Sequence, residues 1–212
     1  MDYISSAMQT PRVLGIVGWS GSGKTVLVTR LIPHFVQQGL RVATLKHAHH
    51  AFDVDTPGKD SYEHRKAGAG EVIICSARRW VQMHELGDAP EPTLADLLGK
   101  LSPCDLVLVE GFKRELHPKL EVHRPALGKE PLFPGDPRIL AVATDAPDQV
   151  THARRVDLND IAAVAKLVLE LAEPLETVRS RLSARTPADA TAPGQDSSTS
   201  PMGLMMPGSR AE

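Results

Sequence analysis

Gly18-Trp19-Ser20-Gly21-Ser22-Gly23-Lys24-Thr25 fits the pattern G-x-x-x-x-G-K-[ST]. Glycines at this spacing let the backbone turn tightly and aim its N–H groups inward at an anion. The start of a following helix adds partial positive charge. Lys24 then reaches the β- and γ-phosphates of a nucleotide, and the Thr25 hydroxyl ligates Mg²⁺. The pattern carries this meaning only between a strand and a helix. Both flanks supply that context: Arg12-Val13-Leu14-Gly15-Ile16-Val17 is mostly apolar, and Leu27, Leu31 and Phe35 recur every four residues on one helix face.

Acidic partners for such a loop sit at the ends of later apolar runs. Leu106-Val107-Leu108-Val109 ends at Glu110, where NTPases place the carboxylate that holds the metal through water or orients the attacking water. Asp105 stands at the entry end of the same run, so Glu110 is the better candidate. Asp53 and Asp55 follow a second strand, Arg41 to Leu45, and at least one of them, Asp55 before Asp53, can face Mg²⁺ or its waters. Solvated loop aspartates are the plain alternative. Lys46, Lys59 and Arg65 are anion-pairing side chains on the same stretch. His47, His49 and His50 invite a transition-metal reading, but such sites need three or four ligands at fixed spacing, and the two cysteines lie elsewhere. Phosphate contact is the preferred role there. Asp145, after Ile139-Leu140-Ala141-Val142-Ala143-Thr144, can accept hydrogen bonds from a guanine N1–H and amino group. The usual Asn-Lys-x-Asp run is absent, so the residues alone leave the base open.

These residues need a scaffold that brings strand ends together. The pattern of strand, helix and strand within about thirty residues is a βαβ unit with parallel strands. Further strands are expected at 71–76, 79–84, 106–109, 119–124 and 139–143. Thr93 is expected to cap a short helix ended by Gly99, and Ile161, Val164, Leu167, Val168 and Leu171 form the last packed helical face. The expected fold is α/β, a P-loop NTPase-like, mostly parallel sheet with helices on both faces. Residues 1–10 read as a flexible lead-in and 11–172 as the nucleotide-binding domain. Residues 173–212 read as a fraying helix end and a Pro/Ser/Thr/Ala-rich disordered tail.

Composition narrows the class. The 212 residues hold 24 Lys plus Arg against 26 Asp plus Glu, a balance that gives no support to a general nucleic-acid binder. No apolar run approaches membrane-spanning length, and Met1 to Ser6 lacks signal-peptide regions, so a cytoplasmic location is expected. Cys75, inside Val72-Ile73-Ile74-Cys75, reads as a small core residue, and Cys104 matches no disulfide or metal spacing.

Together these stretches resemble a known family. Gly18 to Thr25, Lys46-His47-Ala48-His49-His50, Phe52-Asp53-Val54-Asp55, Pro57-Gly58-Lys59-Asp60-Ser61, Arg65-Lys66-Ala67-Gly68 and Val109-Glu110-Gly111-Phe112-Lys113 are similar to the MobB adapter proteins of molybdopterin-guanine dinucleotide biosynthesis. The likeness spans about residues 12–172. It implies a GTP-binding protein with weak Mg²⁺-dependent GTPase activity that works with the guanylyltransferase MobA and is not itself the transferase. Molybdopterin is a further implied ligand. It also implies a homodimer joined through strands outside the nucleotide core, for which 79–84 and 119–124 are the candidates. Lys24 and Glu110 are then the residues of hydrolysis, with Thr25, Asp55 and Glu110 at the metal. A P-loop kinase or ligase acting on a small metabolite is the alternative, distinguished by fast turnover with an acceptor.

Overall fold

The structure is a computed structural model that describes residues 10–48, 52–151 and 153–184. The elements run β1 (Arg12–Val17), α1 (Lys24–Gln37), β2 (Val42–Lys46), α2 (Asp60–Lys66), β3 (Glu71–Cys75), β4 (Trp80–His84), α3 (Leu94–Gly99), β5 (Leu106–Glu110), β6 (Lys119–His123), β7 (Ile139–Thr144), β8 (Arg155–Asp157), α4 (Ile161–Leu171), β9 (Glu173–Pro174) and α5 (Leu175–Ser183). The main sheet has the order β2-β5-β1-β6-β7-β8, every neighbouring pair parallel, with β9 antiparallel to the start of β1.

Strand alternation divides the core into two layers. Leu14, Ile16, Leu106, Leu108, Leu120 and Val122 face α1 and α4, where Leu27, Leu31, Phe35, Val164 and Val168 complete one cluster. Val13, Val107 and Val109 face the other way and meet Leu94, Leu98, Val178 and Leu182 of α3 and α5. A parallel sheet buried on both faces needs apolar residues at every position, which is why β1 and β5 lack an alternating pattern. The expected α/β class with helices on both faces holds. The expected cap does too: the Thr93 hydroxyl accepts from the Asp96 N–H at 3.2 Å while the Asp96 carboxylate accepts from the Thr93 N–H at 3.0 Å.

Three expectations are corrected. Residues 119–124, expected as a strand and a candidate subunit contact, form β6, buried at every strand position between β1 and β7. Its polar residues lie under the loop 125–138: Lys119 Nζ donates to Asp136 at 2.7 Å, and the Glu121 carboxylate accepts from the backbone N–H of Leu132 at 2.8 Å and of Phe133 at 2.9 Å. Alternation there marks one apolar face and one satisfied polar face, both inside. Second, the domain does not end at residue 172. β9 pairs with Arg12 and Val13, and α5 buries Val178 and Leu182 against a sheet face already apolar, so two residues four apart suffice to anchor it. Third, Cys75 is exposed, because β3 and β4 form a separate two-stranded hairpin outside the main sheet. The lead-in through Gln9 and the tail from Arg185 lie outside the described residues. Among the described residues, no helix is long and apolar enough to cross a membrane.

Candidate functional site

Parallel strands send all their carboxyl ends to one edge, and ligands of open α/β sheets bind there, where the strand order reverses. Here that point is β1. The glycine loop follows β1, Lys46 ends β2, Glu110 ends β5, Arg124 follows β6 and Asp145 follows β7.

Gly18, Gly21 and Gly23 have φ of 143°, 81° and 96°, conformations that L side chains rarely adopt. Gly18 is also tightly enclosed: a Cβ there would lie 2.4 Å from the Val122 carbonyl oxygen and 2.8 Å from Ser22 Oγ. Gly23 is the left-handed N-cap of α1 and brings no side-chain acceptor to the first-turn amides, which suits a bound anion. Lys24 Nζ lies across the loop and donates to the Trp19 carbonyl at 2.9 Å. Burial, then the charge of Lys113, holds the Lys24 ammonium below the ordinary lysine pKa range; Glu110 opposes this and Lys46 adds to it.

Thr25 Oγ1 donates to Glu110 Oε1 at 2.6 Å, and Lys46 Nζ stands 3.4 Å from that same carboxylate oxygen. A hydroxyl and a carboxylate side by side beneath a phosphate loop are a hard oxygen pair. They fit Mg²⁺, which takes one or two protein oxygens and fills its octahedron with phosphate and water. Thr25 and Glu110 would hold it.

The structure gathers other expected residues elsewhere. Asp55 Oδ1 accepts from Ser61 Oγ and from the Thr56 N–H, both at 2.9 Å, and its Oδ2 lies 3.5 Å from Arg65 Nε. Arg65 also pairs with Asp53 at 2.7 Å and Glu85 at 2.8 Å. Asp53, Arg65 and Glu85, with Tyr62 and Lys66, line a separate cavity of about 550 Å³ between α2 and the hairpin. Asp55 is thus grouped with Arg65 and not with Thr25 and Glu110. Lys59 is exposed at the N-cap of α2. His47 contacts Glu91 Oε1 through Nε2 at 2.9 Å and packs its ring 4.8 Å from that of Phe112. His49 and His50 lie outside the described residues, among which no group of three or more His, Cys, Asp or Glu could hold a metal. Asp105, at the far end of β5, pairs with Arg41 at 3.0 Å.

Arg124 and Lys129 escaped the sequence reading, and Lys113 entered it only as part of the Glu-Gly-Phe-Lys stretch, with no role at the site. Arg124 Nε donates to the Ser22 carbonyl at 3.0 Å, and its Nη1 pairs with Asp145. Lys113 Nζ stands 4.8 Å and Lys129 Nζ 5.9 Å from the centre of the Trp19 ring, whose indole N–H donates to the Glu130 carbonyl at 2.7 Å. Lys113 reaches that place because Gly111 and Phe112 both have positive φ, 94° and 51°; the second is costly for a non-glycine residue and tends to persist at functional turns. One signal was available for Arg124: it is the first residue after a strand that parallel topology must end at the ligand edge.

Comparison with known proteins covers the same region. Residues 13–145 match the family model described as molybdopterin guanine dinucleotide synthesis protein B. The chain is 43% identical over 161 residues to the molybdopterin-guanine dinucleotide biosynthesis adapter protein of Escherichia coli (strain K12), covering 74% of this chain and 91% of that one. It is 42% identical to the adapter protein of the same description from Haemophilus influenzae, covering 74% and 86%. Its fold is similar to a crystal structure of molybdopterin-guanine biosynthesis protein B, with a TM-score of 0.60 at 30% identity over 75% of this chain and 99% of that one.

Proposed function

The chain belongs to the molybdopterin guanine dinucleotide synthesis protein B (MobB) family, and from that premise we propose that it is a GTP-binding adapter of molybdopterin-guanine dinucleotide biosynthesis that hydrolyses GTP slowly beside a MobA-like guanylyltransferase. The observation that carries the nucleotide part is the 2.6 Å contact between Thr25 and Glu110, which joins the phosphate loop to the Glu-Gly-Phe-Lys turn in one site.

In this reading the amides of Gly21 to Lys24 receive the β-phosphate, and Lys24 bridges the β- and γ-phosphates. Bound Mg²⁺ supplies neutralising charge at the phosphate oxygens. Glu110, nine-tenths buried, orients water for in-line attack on the γ-phosphorus. Lys46 and Lys113 add positive charge where the transferring group becomes more negative.

The protein acts as a homodimer through the β3–β4 hairpin, which presents Ile73 and Trp80 at 62% and 65% exposure. A cytoplasmic location suits its two free thiols, Cys75 and Cys104.

Calorimetric competition of GTP against ATP with Mg²⁺ present tests the proposal. A clear preference for GTP and retention of a MobA-like protein on immobilised chain are expected. A preference for ATP, or fast turnover with a small-molecule acceptor, would overturn it.

A further inference from the structure

We propose that Arg124 is the positioning residue of the phosphate loop, and that Asp145 acts through Arg124 on phosphate affinity and not on the choice of base. This rests on the reading of Gly18 to Thr25 as a nucleotide site.

A phosphate loop works only while its N–H groups point inward, so its carbonyls must be turned away from the anion. The Ser22 carbonyl is the acceptor of Arg124 Nε at 3.0 Å, just before the Gly23-Lys24-Thr25 end of the loop. The guanidinium also lies against Gly23, with Nε and Nη2 each 3.7 Å from where a Cβ would stand. Two residues earlier on β6, the Val122 carbonyl closes on Gly18. The end of β6 is thus the wall on which both ends of the loop are set.

Asp145 fixes the Arg124 side chain. His123 and Thr144 are register partners on β6 and β7, so Arg124 and Asp145 leave the sheet side by side, and Nη1 pairs with Asp145 Oδ2. A planar guanidinium can address two acceptors at a set angle; a lysine ammonium cannot. Reading guanine by a carboxylate takes both oxygens, one for N1–H and one for the amino group, and here one of them is occupied by Arg124. The pair is half-exposed, with side chains 35% and 30% accessible, so it adds little to fold stability. Its effect is on loop geometry.

The test is calorimetry of the full chain with GTP, ATP and inorganic tripolyphosphate, each with Mg²⁺, on the wild type and on R124A, R124K, D145A, D145N and the R124A/D145A double variant. R124A should weaken all three anions by one common factor of about tenfold, the size of one lost charge-assisted hydrogen bond. R124K should not restore affinity, and D145A should give a smaller loss shared equally by GTP and ATP. The double variant should be no worse than R124A, because the two residues act in series. Thermal midpoints should match wild type. Undiminished tripolyphosphate binding by R124A would overturn the proposal, as would a D145N loss confined to GTP. Wild-type protein that binds none of the three anions would instead sink the nucleotide reading itself.

Discussion

Thr25 Oγ1 donates to Glu110 Oε1 at 2.6 Å, joining the first turn of α1 to the end of β5 across 85 residues of chain. The register explains the meeting. Ile16 of β1 is the partner of Glu110 in the parallel pair β1–β5, so the loop after β1 starts beside the carboxylate. Replacing Glu110 by Gln keeps the shape and removes the charge. Hydrolysis should fall about a hundredfold, the usual scale for a general-base or orienting group. Mg²⁺-dependent GTP affinity should drop, while affinity measured in chelator stays the same. Single-turnover assays with and without EDTA check both outcomes.

Lys24 gives a pH signature. Burial holds its pKa below the ordinary lysine value, and the charged form is the one that pairs with triphosphate. GTP affinity should therefore decline as pH rises through that lowered value, before an ordinary lysine would begin to titrate. Calorimetry from neutral to alkaline pH measures it. Lys24→Arg stays charged throughout and should show no such decline.

His117 is fully buried against Gly15, and burial pushes its pKa down from 6.5 to about 3, with Lys119 adding to the shift and Asp136 opposing it. Its neutral form is favoured on folding. Between pH 6.5 and about 3 the unfolded chain binds a proton that the folded chain does not, so stability is lost as pH falls through that window. Denaturant melts from pH 7 to pH 4 should show this decline, and His117→Gln should flatten it.

The hairpin carries the dimer prediction. Trp80 pairs with Cys75, two residues beyond Ile73, so Ile73 and Trp80 share one face of the hairpin and expose most of their surface. Trp80→Asp and Ile73→Asp should convert the dimer to monomer in sedimentation velocity. Because neither side chain is in the core, the thermal midpoint at low protein concentration should change little.

Deletion of residues 173–212 tests the last helix. It strips Val178 and Leu182 from the cluster they form with Leu94 and Leu98 of α3, Val13 of β1 and Val107 of β5, each of these four at most 2% exposed. Exposing each such side chain costs about 1.5–3 kcal/mol, comparable in sum to the whole stability of a domain. The truncated chain should fail to fold cooperatively in thermal or urea melts.

Local chemistry was legible in the sequence. The phosphate loop needs specific residue types at contiguous positions, so Gly18 to Thr25 could be read without coordinates, and with them β1 and α1. Uninterrupted apolar runs identified β1, β5 and β7 because a doubly covered parallel sheet tolerates little else. Glu110 could be chosen over Asp105 because only the exit end of a strand faces the ligand edge. What tertiary structure alone decided were the relations that depend on which strand lies beside which. Placing β6 between β1 and β7 buried the alternating Lys119, Glu121 and His123 under a loop, where period-two patterning had suggested a wet face. The same placement set Arg124 against Ser22 and Asp145, a contact made between residues 102 and 21 positions apart. Asp55 went instead to Ser61 and Arg65, partners that α2 supplies locally. Sequence periodicity reports whether a face is polar; only packing reports what covers it.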